Sequence, residues 1–347
     1  MAELRSISEE DLAYAGRALA EGRLVAFPTE TVYGLGADAT NPLALARVFE
    51  AKRRPTFDPL IVHIPALDWL DRVADLSQLS QERQNLVHRL ADSLWPGPLT
   101  LILPKRVHIP DLVTSGLPTV AVRLPAHPVA RRLIELAGCP VAAPSANPFG
   151  YISPTQATHV MQQLGDRIDI VIDGGSCPVG LESTVLDMNG PVLRILRPGG
   201  MSRERIEAIA GPVEVLDRTS RKPNAPGQLP SHYAPRAPLE LFSTGEIPHG
   251  RYGSDTAILF FSNEQKAAWL AAMSLDKPEP IVRVLSPSGT LVEAAANLFA
   301  MLHELDTLGV QRILAERVPD RDLGIAINDR LYKARGEAKT EDTFNRL

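Results

Sequence analysis

The chain has 347 residues, 44% of them apolar, and a formal net charge of −5; this length suits two ordinary cores, so two domains are expected. The acidic balance excludes a protein whose main task is to coat nucleic acid through a global basic face, and no stretch approaches the roughly 18 uninterrupted apolar residues of a membrane span. The acidic, amphipathic N-terminus is unlike a signal peptide, and Cys139 and Cys177 lie far apart without a CxxC or a nearby His, so a cytoplasmic, reducing location is expected, with neither zinc site nor disulfide framework.

In chain order, Ser8 to Gly22 reads as a helix with a Ser cap and a Gly stop, and Leu24 to Phe27 as a strand. Asn41 to Arg53 reads as a helix capped by Asn41 with Pro42 in its first turn, which places Lys52 and Arg53 at its end. Strands are expected at Leu60 to Ile64, Leu99 to Leu103, Thr119 to Leu124, Pro140 to Pro144, Asp169 to Gly174, Ser183 to Met188 and Val192 to Arg197. Helices are expected at Leu79 to Leu94, His127 to Gly138 and Thr155 to Gly165. The result is an α/β domain with an open, twisted mixed sheet over residues 1–211. Residues 212–238 lose periodicity and gain Pro, Gly, Ser and Asn, as a linker or lid would. Residues 239–347 alternate strands with helices, notably Ser288 to Gly309, and form a smaller three-layer α/β domain.

Three strand ends in the first domain decay into residues that bind ligands rather than into charged loop. Leu24 to Thr40 breaks into PTETVYGLG, Cys139 to Thr155 into PSANPFGYISPT, and Lys52 to Leu60 sets KRRPTFDPL before an apolar strand. Arg offers a planar fork that matches phosphate, and Lys a compact point charge; Pro55 and Pro59 stiffen the turn. Alone, the cations are an ordinary solvated run at a helix end. GLGADA (Gly34 to Ala39) matches a dinucleotide-binding turn, but PTETVY separates it from the preceding strand and Asp58 precedes a strand instead of ending one, so that reading fails. No Gly is followed by Lys, which removes a Walker A loop.

PTETVYGLG, KRRPTFDPLIVH, WPGPLTLIL, TVAVRLPAHP, APSANPFGYISPT and GLESTVLD, in that order over roughly the first 200 residues, together resemble the YrdC/Sua5 family, the threonylcarbamoyl-AMP synthases. APGQLPSHYAP (Ala225 to Pro235) resembles the linker of the two-domain Sua5 form, and DLGIAINDRLYKARG (Asp322 to Gly336) the last helix of its C-terminal domain. The resemblance implies an ATP-dependent nucleotidyltransferase that joins L-threonine, bicarbonate or CO2, and ATP, releases pyrophosphate, and supplies a downstream transferase that modifies tRNA to N6-threonylcarbamoyladenosine. It implies Lys52 and Arg54 as catalytic cations facing the phosphates, and Asp58, Thr119, Ser145, Asn147, Ser153, Arg197 and Tyr233 as further ATP contacts. It implies a threonine pocket of Thr31, His63, Arg123, Ala143 through its backbone, and Ser183. Magnesium is expected on the ATP phosphates, without a dedicated metal site.

Read from the residues alone, several of these positions keep a structural alternative. His63 in an alternating strand suits a satisfied core imidazole, Ser145 and Asn147 suit turn residues, and Arg123 can snorkel from its sheet. Relatives often carry Asn at the position of Asp58, so a carboxylate near phosphates needs a compensating cation. Glu182 can cap its turn or help place a metal. An RNA-binding module is the first rival, opposed by 5% aromatics and the net charge; another carbamoyl or sugar-phosphate enzyme on the same sheet is the second. No stable direct nucleic-acid contact and no membrane association are expected.

Overall fold

A computed structural model describes residues 1–216, 232–243, 246, 252–272 and 279–335. The mixed sheet of the first domain has eleven strands. From edge to edge they are Glu3–Arg5, Ile170–Ile172, Val25–Phe27, Gly34–Asp38, Val141–Ala142, Ile61–His63, Thr119–Arg123, Leu99–Pro104, Thr184–Asp187, Arg194–Arg197 and Glu214–Val215. Strands Ile61–His63 and Thr119–Arg123 are parallel neighbours, with Ile61 opposite Ala121 and His63 opposite Arg123.

The expected helices form where capping chemistry allows. The Ser8 hydroxyl accepts from Asp11 N–H at 3.2 Å to open Glu9–Ala20. The Asn41 side chain accepts from Leu43 and Ala44 N–H to open Pro42–Lys52. Helices Glu9–Ala20 and Pro128–Ala137 pack one face of the sheet through Leu12, Leu19, Leu133 and Ile134. Gln81–Leu94 covers the other face, where Leu86 and Leu90 join Leu60, Val62 and Val122. Leu90 and Val62 are fully buried, each contributing on the order of 2 kcal/mol of apolar transfer.

Two elements differ from the sequence expectation. Gly34–Asp38, absent from the expected strands, is a buried strand paired antiparallel with Val25–Phe27. Gly36 is required there, because a Cβ would lie 2.7 Å from the Phe27 ring and 2.9 Å from Val141. Glu214–Val215, expected in the linker, pairs with Arg194–Arg197 and completes the first sheet. Residues 217–231, most of the expected linker or lid, lie outside the described residues.

The second domain has four parallel strands in the order Leu239–Phe242, Arg312–Glu316, Thr256–Ser262 and Ile281–Ser286, with helices Asn263–Ala272, Leu291–Thr307 and Leu323–Arg335. Its main apolar cluster, built on Leu259, Leu298, Phe299 and Ile313, takes in Val32, Ile152 and Leu181 of the first domain and Tyr233 between them. The two domains therefore share an apolar cluster, and it lies beside the loops expected to bind ligands. No helix among the described residues is long and apolar enough to cross a membrane.

Candidate active site

One end of a buried cavity is built on the turn after strand Val25–Phe27. The Thr29 hydroxyl accepts from the N–H of Thr31 and Val32 and lies 2.7 Å from the Thr31 hydroxyl, which folds the PTET turn on itself. Glu30 then meets Arg123, at the end of strand Thr119–Arg123, at 2.6 Å, with both side chains buried. Arg123 donates onward to the Thr31 hydroxyl at 2.9 Å and to the Gly97 carbonyl at 3.3 Å. Burial opposes ionisation of Glu30, but the charge and hydrogen bond of Arg123 overcome it and hold the carboxyl below its usual range.

His63 stands beside Arg123 through the parallel register and is buried, its ring edge toward Phe27 at 6.5 Å. Burial, aided by the Arg123 charge, pushes its pKa down to about 3, so the ring is neutral. Its Nδ1 is buried without a hydrogen-bond partner. Ala143 and Ser183 line the same space. The Ala143 N–H is already committed to the Ile61 carbonyl at 2.9 Å, which narrows the expected backbone contribution to its carbonyl.

Arginines supply the other end. Arg53 caps helix Pro42–Lys52 in the left-handed region at φ 52° and turns the chain so that Arg54 enters the cavity wall. Arg54 pairs with Asp58 at 2.9 Å, both buried, and donates to the carbonyls of Asp58 and Pro59. Asp58 thus has its compensating cation. Arg197 clamps the Ser183 carbonyl with two donors at 3.1 and 2.8 Å and reaches its hydroxyl at 3.1 Å. This contact depends on Gly199, where a Cβ would lie 2.3 Å from the Glu182 carbonyl.

Of the residues anticipated from sequence, Thr31, His63, Arg54, Arg123, Ala143, Ser145, Ser183, Arg197 and Tyr233 line this cavity. Lys52 does not. Its buried ammonium donates to the Ser145 and Asn147 carbonyls, so it backs the PSAN loop from behind, and burial together with the Arg54 charge holds its pKa well below the usual lysine range. Asn147 closes the same loop onto the Pro148 and Tyr151 carbonyls. Ser153 lies one layer back, donating to Glu182 at 2.6 Å. Thr119 is half-buried opposite Pro104 and is outside the lining set.

The Sua5/YciO/YrdC family model, described as "Telomere recombination", matches residues 17–199, and the model of the threonylcarbamoyl-AMP synthase C-terminal domain matches residues 201–336. The chain belongs to the Sua5/YciO/YrdC family. Among its Sua5 relatives, it is 42% identical to the threonylcarbamoyl-AMP synthase of Pyrococcus abyssi, covering 95% of each chain. It is 42% identical to that of Bacillus subtilis, covering 95% of this chain and 94% of the relative. It is also similar to the crystal structure of P. abyssi Sua5 complexed with L-threonine, with a TM-score of 0.83, 38% identity, and 97% and 98% of the two chains covered.

In this Sua5 chain the second domain and the linker end complete the site. His232 and Tyr233 line the cavity, Tyr233 in the left-handed region at φ 65° and His232 edge-on to Phe149 at 5.7 Å. Arg330, from helix Leu323–Arg335, reaches Glu182 at 2.9 Å and the Pro198 carbonyl at 2.8 Å, with its guanidinium 5.2 Å from the Tyr233 ring. Glu182 therefore neither caps its turn alone nor stands free for a metal. Glu30 and Arg330 escaped the sequence reading. A lone acid between two threonines, near an Arg expected to bind a carboxylate, was the available signal for Glu30; a helix surface pattern carries none for Arg330.

Proposed function

We propose that this chain is a threonylcarbamoyl-AMP synthase that condenses L-threonine, CO2 or bicarbonate, and ATP to threonylcarbamoyladenylate and pyrophosphate, for N6-threonylcarbamoyladenosine formation in tRNA. The single observation that carries the reading is the pairing, in one buried cavity, of a fixed Arg123 beside a neutral His63 with a second pair of arginines, Arg54 and Arg197. The guanidinium of Arg123 suits the threonine carboxylate, and Thr31 and the unpartnered His63 Nδ1 suit its hydroxyl. Similarity to synthases from P. abyssi and B. subtilis, and to a Sua5 structure holding L-threonine, supports the same assignment.

The chemistry needs no protein nucleophile. The threonine nitrogen forms a bond to CO2 and loses a proton, giving a carbamate. A carbamate oxygen then forms a bond to the α-phosphorus of ATP, the bond from that phosphorus to the bridging oxygen breaks, and pyrophosphate leaves with the electron pair. The carbamate oxygen gives up negative charge as it bonds to phosphorus and the departing pyrophosphate gains it, so positioning and electrostatic neutralisation of the phosphates do most of the work. Arg54 and Arg197 neutralise phosphate charge directly; Lys52 holds the Ser145 loop that presents the nucleotide and adds its charge from behind.

Magnesium would come with ATP and supply charge neutralisation at the phosphates. The nearby carboxylates fit this role for the nucleotide: Asp58 is engaged by Arg54 and Glu182 by Arg330. Among the described residues no group of three or more metal-binding side chains gathers. The cavity volume is about 50 Å³ with His232 and Tyr233 in its wall, far less than the 300–1,000 Å³ typical of ligand pockets. The linker end therefore withdraws to admit ATP and returns to exclude water from the anhydride. The reaction belongs in the cytoplasm, where a transferase acting on tRNA consumes the product.

Incubation with ATP, bicarbonate and L-threonine, followed by mass spectrometry, gives the test: threonylcarbamoyladenylate and one pyrophosphate per adenylate are expected. Valine, which lacks the hydroxyl, should react at least about 10²-fold less efficiently, because a site built to hydrogen-bond a hydroxyl rejects its analogue. Equal pyrophosphate release from both amino acids would remove Thr31 and His63 from the pocket.

A further inference from the structure

A second cleft, of about 520 Å³, opens between the two domains on the far side of the wall formed by Lys52 and the PSAN loop. None of Thr31, His63, Arg123 and Ser183 lines it. Lys52, Arg53 and Arg167 come from the first domain, Arg236 from the segment entering the second, and Asp306 is the single carboxylate, 3.6 Å from Arg236. Four cations line the cleft against Asp306 in its wall and Asp166 just outside it, 3.8 Å from Arg167, so the cleft is locally positive in a chain of net charge −5. His303 in the same wall is neutral near pH 7, its pKa pushed by burial to about 3.

Two further observations specify the ligand beyond its charge. The side-chain carbonyl oxygen of Gln163, in the cleft wall, is buried without a hydrogen-bond partner. Once the amide turns toward the cleft it can accept from a ligand hydroxyl or exocyclic amine. Tyr151, 46% exposed, offers an aromatic face at the rim. Size agrees, since 520 Å³ lies within the range of small-ligand sites while the catalytic cavity, at about 50 Å³, is far below it.

We infer that this interdomain cleft is a second phosphate-binding site, taking a nucleoside phosphate whose anionic group meets Arg53, Arg167 and Arg236 and whose hydroxyl or amine meets Gln163. Such a ligand joins the domains, because its partners come from both. It also touches the linker indirectly: Tyr151 bridges to Ala234, and Ala234 N–H donates to the Gly150 carbonyl at 2.9 Å. Occupancy therefore favours the closed arrangement of the linker end.

Equilibrium dialysis of the full chain with labelled α,β-methylene-ATP and saturating L-threonine counts the sites. Two nucleotides per chain are expected for the parent. The R167Q/R236Q variant should retain one at unchanged affinity and bind the other at least about tenfold more weakly, having lost two charge-assisted contacts, with synthase turnover at saturating ATP unchanged. R236Q alone, at a side chain 81% exposed, gives the same reading should the double variant fail to fold. One nucleotide per chain in both proteins overturns the second site, and no nucleotide in either overturns the catalytic assignment instead. Competition identifies the source of the phosphate. Displacement of only the second nucleotide by AMP assigns a free nucleotide, displacement by tRNA but not AMP assigns an RNA backbone, and displacement by neither overturns the inference.

Discussion

Arg330 of the second domain and Glu182 of the first meet at 2.9 Å with both side chains buried, and the other Glu182 oxygen accepts from Ser153 at 2.6 Å. The second domain thereby fixes a loop of the catalytic cavity. Removing one partner of a buried ion pair strands the other charge and costs about 3–5 kcal/mol. Arg330→Met should lower the thermal midpoint and, by freeing Glu182 and Ser153, raise the KM for ATP more than that for threonine. Thermal unfolding with steady-state pyrophosphate assays checks both; equal rises in the two KM values would confine Arg330 to stability.

Glu30 holds the Arg123 guanidinium, the proposed partner of the threonine carboxylate, at 2.6 Å. Glu30→Gln keeps the shape and removes the charge, so Arg123 is left to swing within the site. Threonine KM should rise by about 10- to 100-fold, the equivalent of one charge-assisted contact, with little change in the KM for ATP. Pyrophosphate release against threonine concentration is the measurement, and an unchanged threonine KM would show that Thr31 and Gly97 suffice to orient Arg123.

Lys52→Met should reduce turnover by about 10²- to 10³-fold, as expected for loss of one preorganised electrostatic partner. Stability should fall as well, because the Ser145 and Asn147 carbonyls lose their shared donor inside the protein. Thermal melting and single-turnover rates separate the two effects. A variant that melts lower yet turns over normally would make Lys52 a scaffold residue alone.

His159 and His303 stack across the domain interface with ring centroids 3.9 Å apart. Thr155 N–H donates to His159 Nδ1, and His303 Nε2 lies 3.1 Å from the Ser153 carbonyl, an arrangement that neutral rings satisfy. Burial lowers their pKa values to about 4 and about 3. In the unfolded chain both titrate near the usual 6.5, so between about pH 6.5 and those folded values the unfolded state binds more protons, and stability falls as pH drops. The slope approaches about 1.4 kcal/mol per pH unit for His303 and less for the partly screened His159. Thermal midpoints from pH 7 to 4 for the parent and for H303Q measure it, and the variant should show the shallower decline.

Much of the first domain was legible because its helices carry their own caps and its core strands are continuous apolar runs. Ser8, Asn41 and Pro42 announce their helices locally, and Ile61–His63 is buried on both faces of its sheet. Strand Gly34–Asp38 was not legible, since two glycines in five residues weaken a strand pattern and their reasons are tertiary: Phe27 and Val141 behind Gly36, and the Ala143 methyl 3.2 Å from a Cβ at Gly34. The cavity's loops were marked by Thr, Ser and Pro at strand ends. Their second layer was hidden: Lys52 reads as a phosphate ligand, but its burial behind Ser145 is a tertiary fact, and Arg330 lies 148 residues from the Glu182 it pairs with.

The parallel register that sets His63 opposite Arg123 acts as a molecular ruler for the proposed amino-acid pocket. Because successive side chains on a strand point to opposite faces, a slip of one residue would turn both groups out of the cavity and Val62 and Val122 out of the core at once. Recognition and folding thus share one gauge. Attempts to re-aim this enzyme at a different amino acid should exchange side chains within Thr31, His63 and Ser183 and leave the lengths of the two strands alone, since an insertion there would be rejected by the core before it could be tested by the substrate.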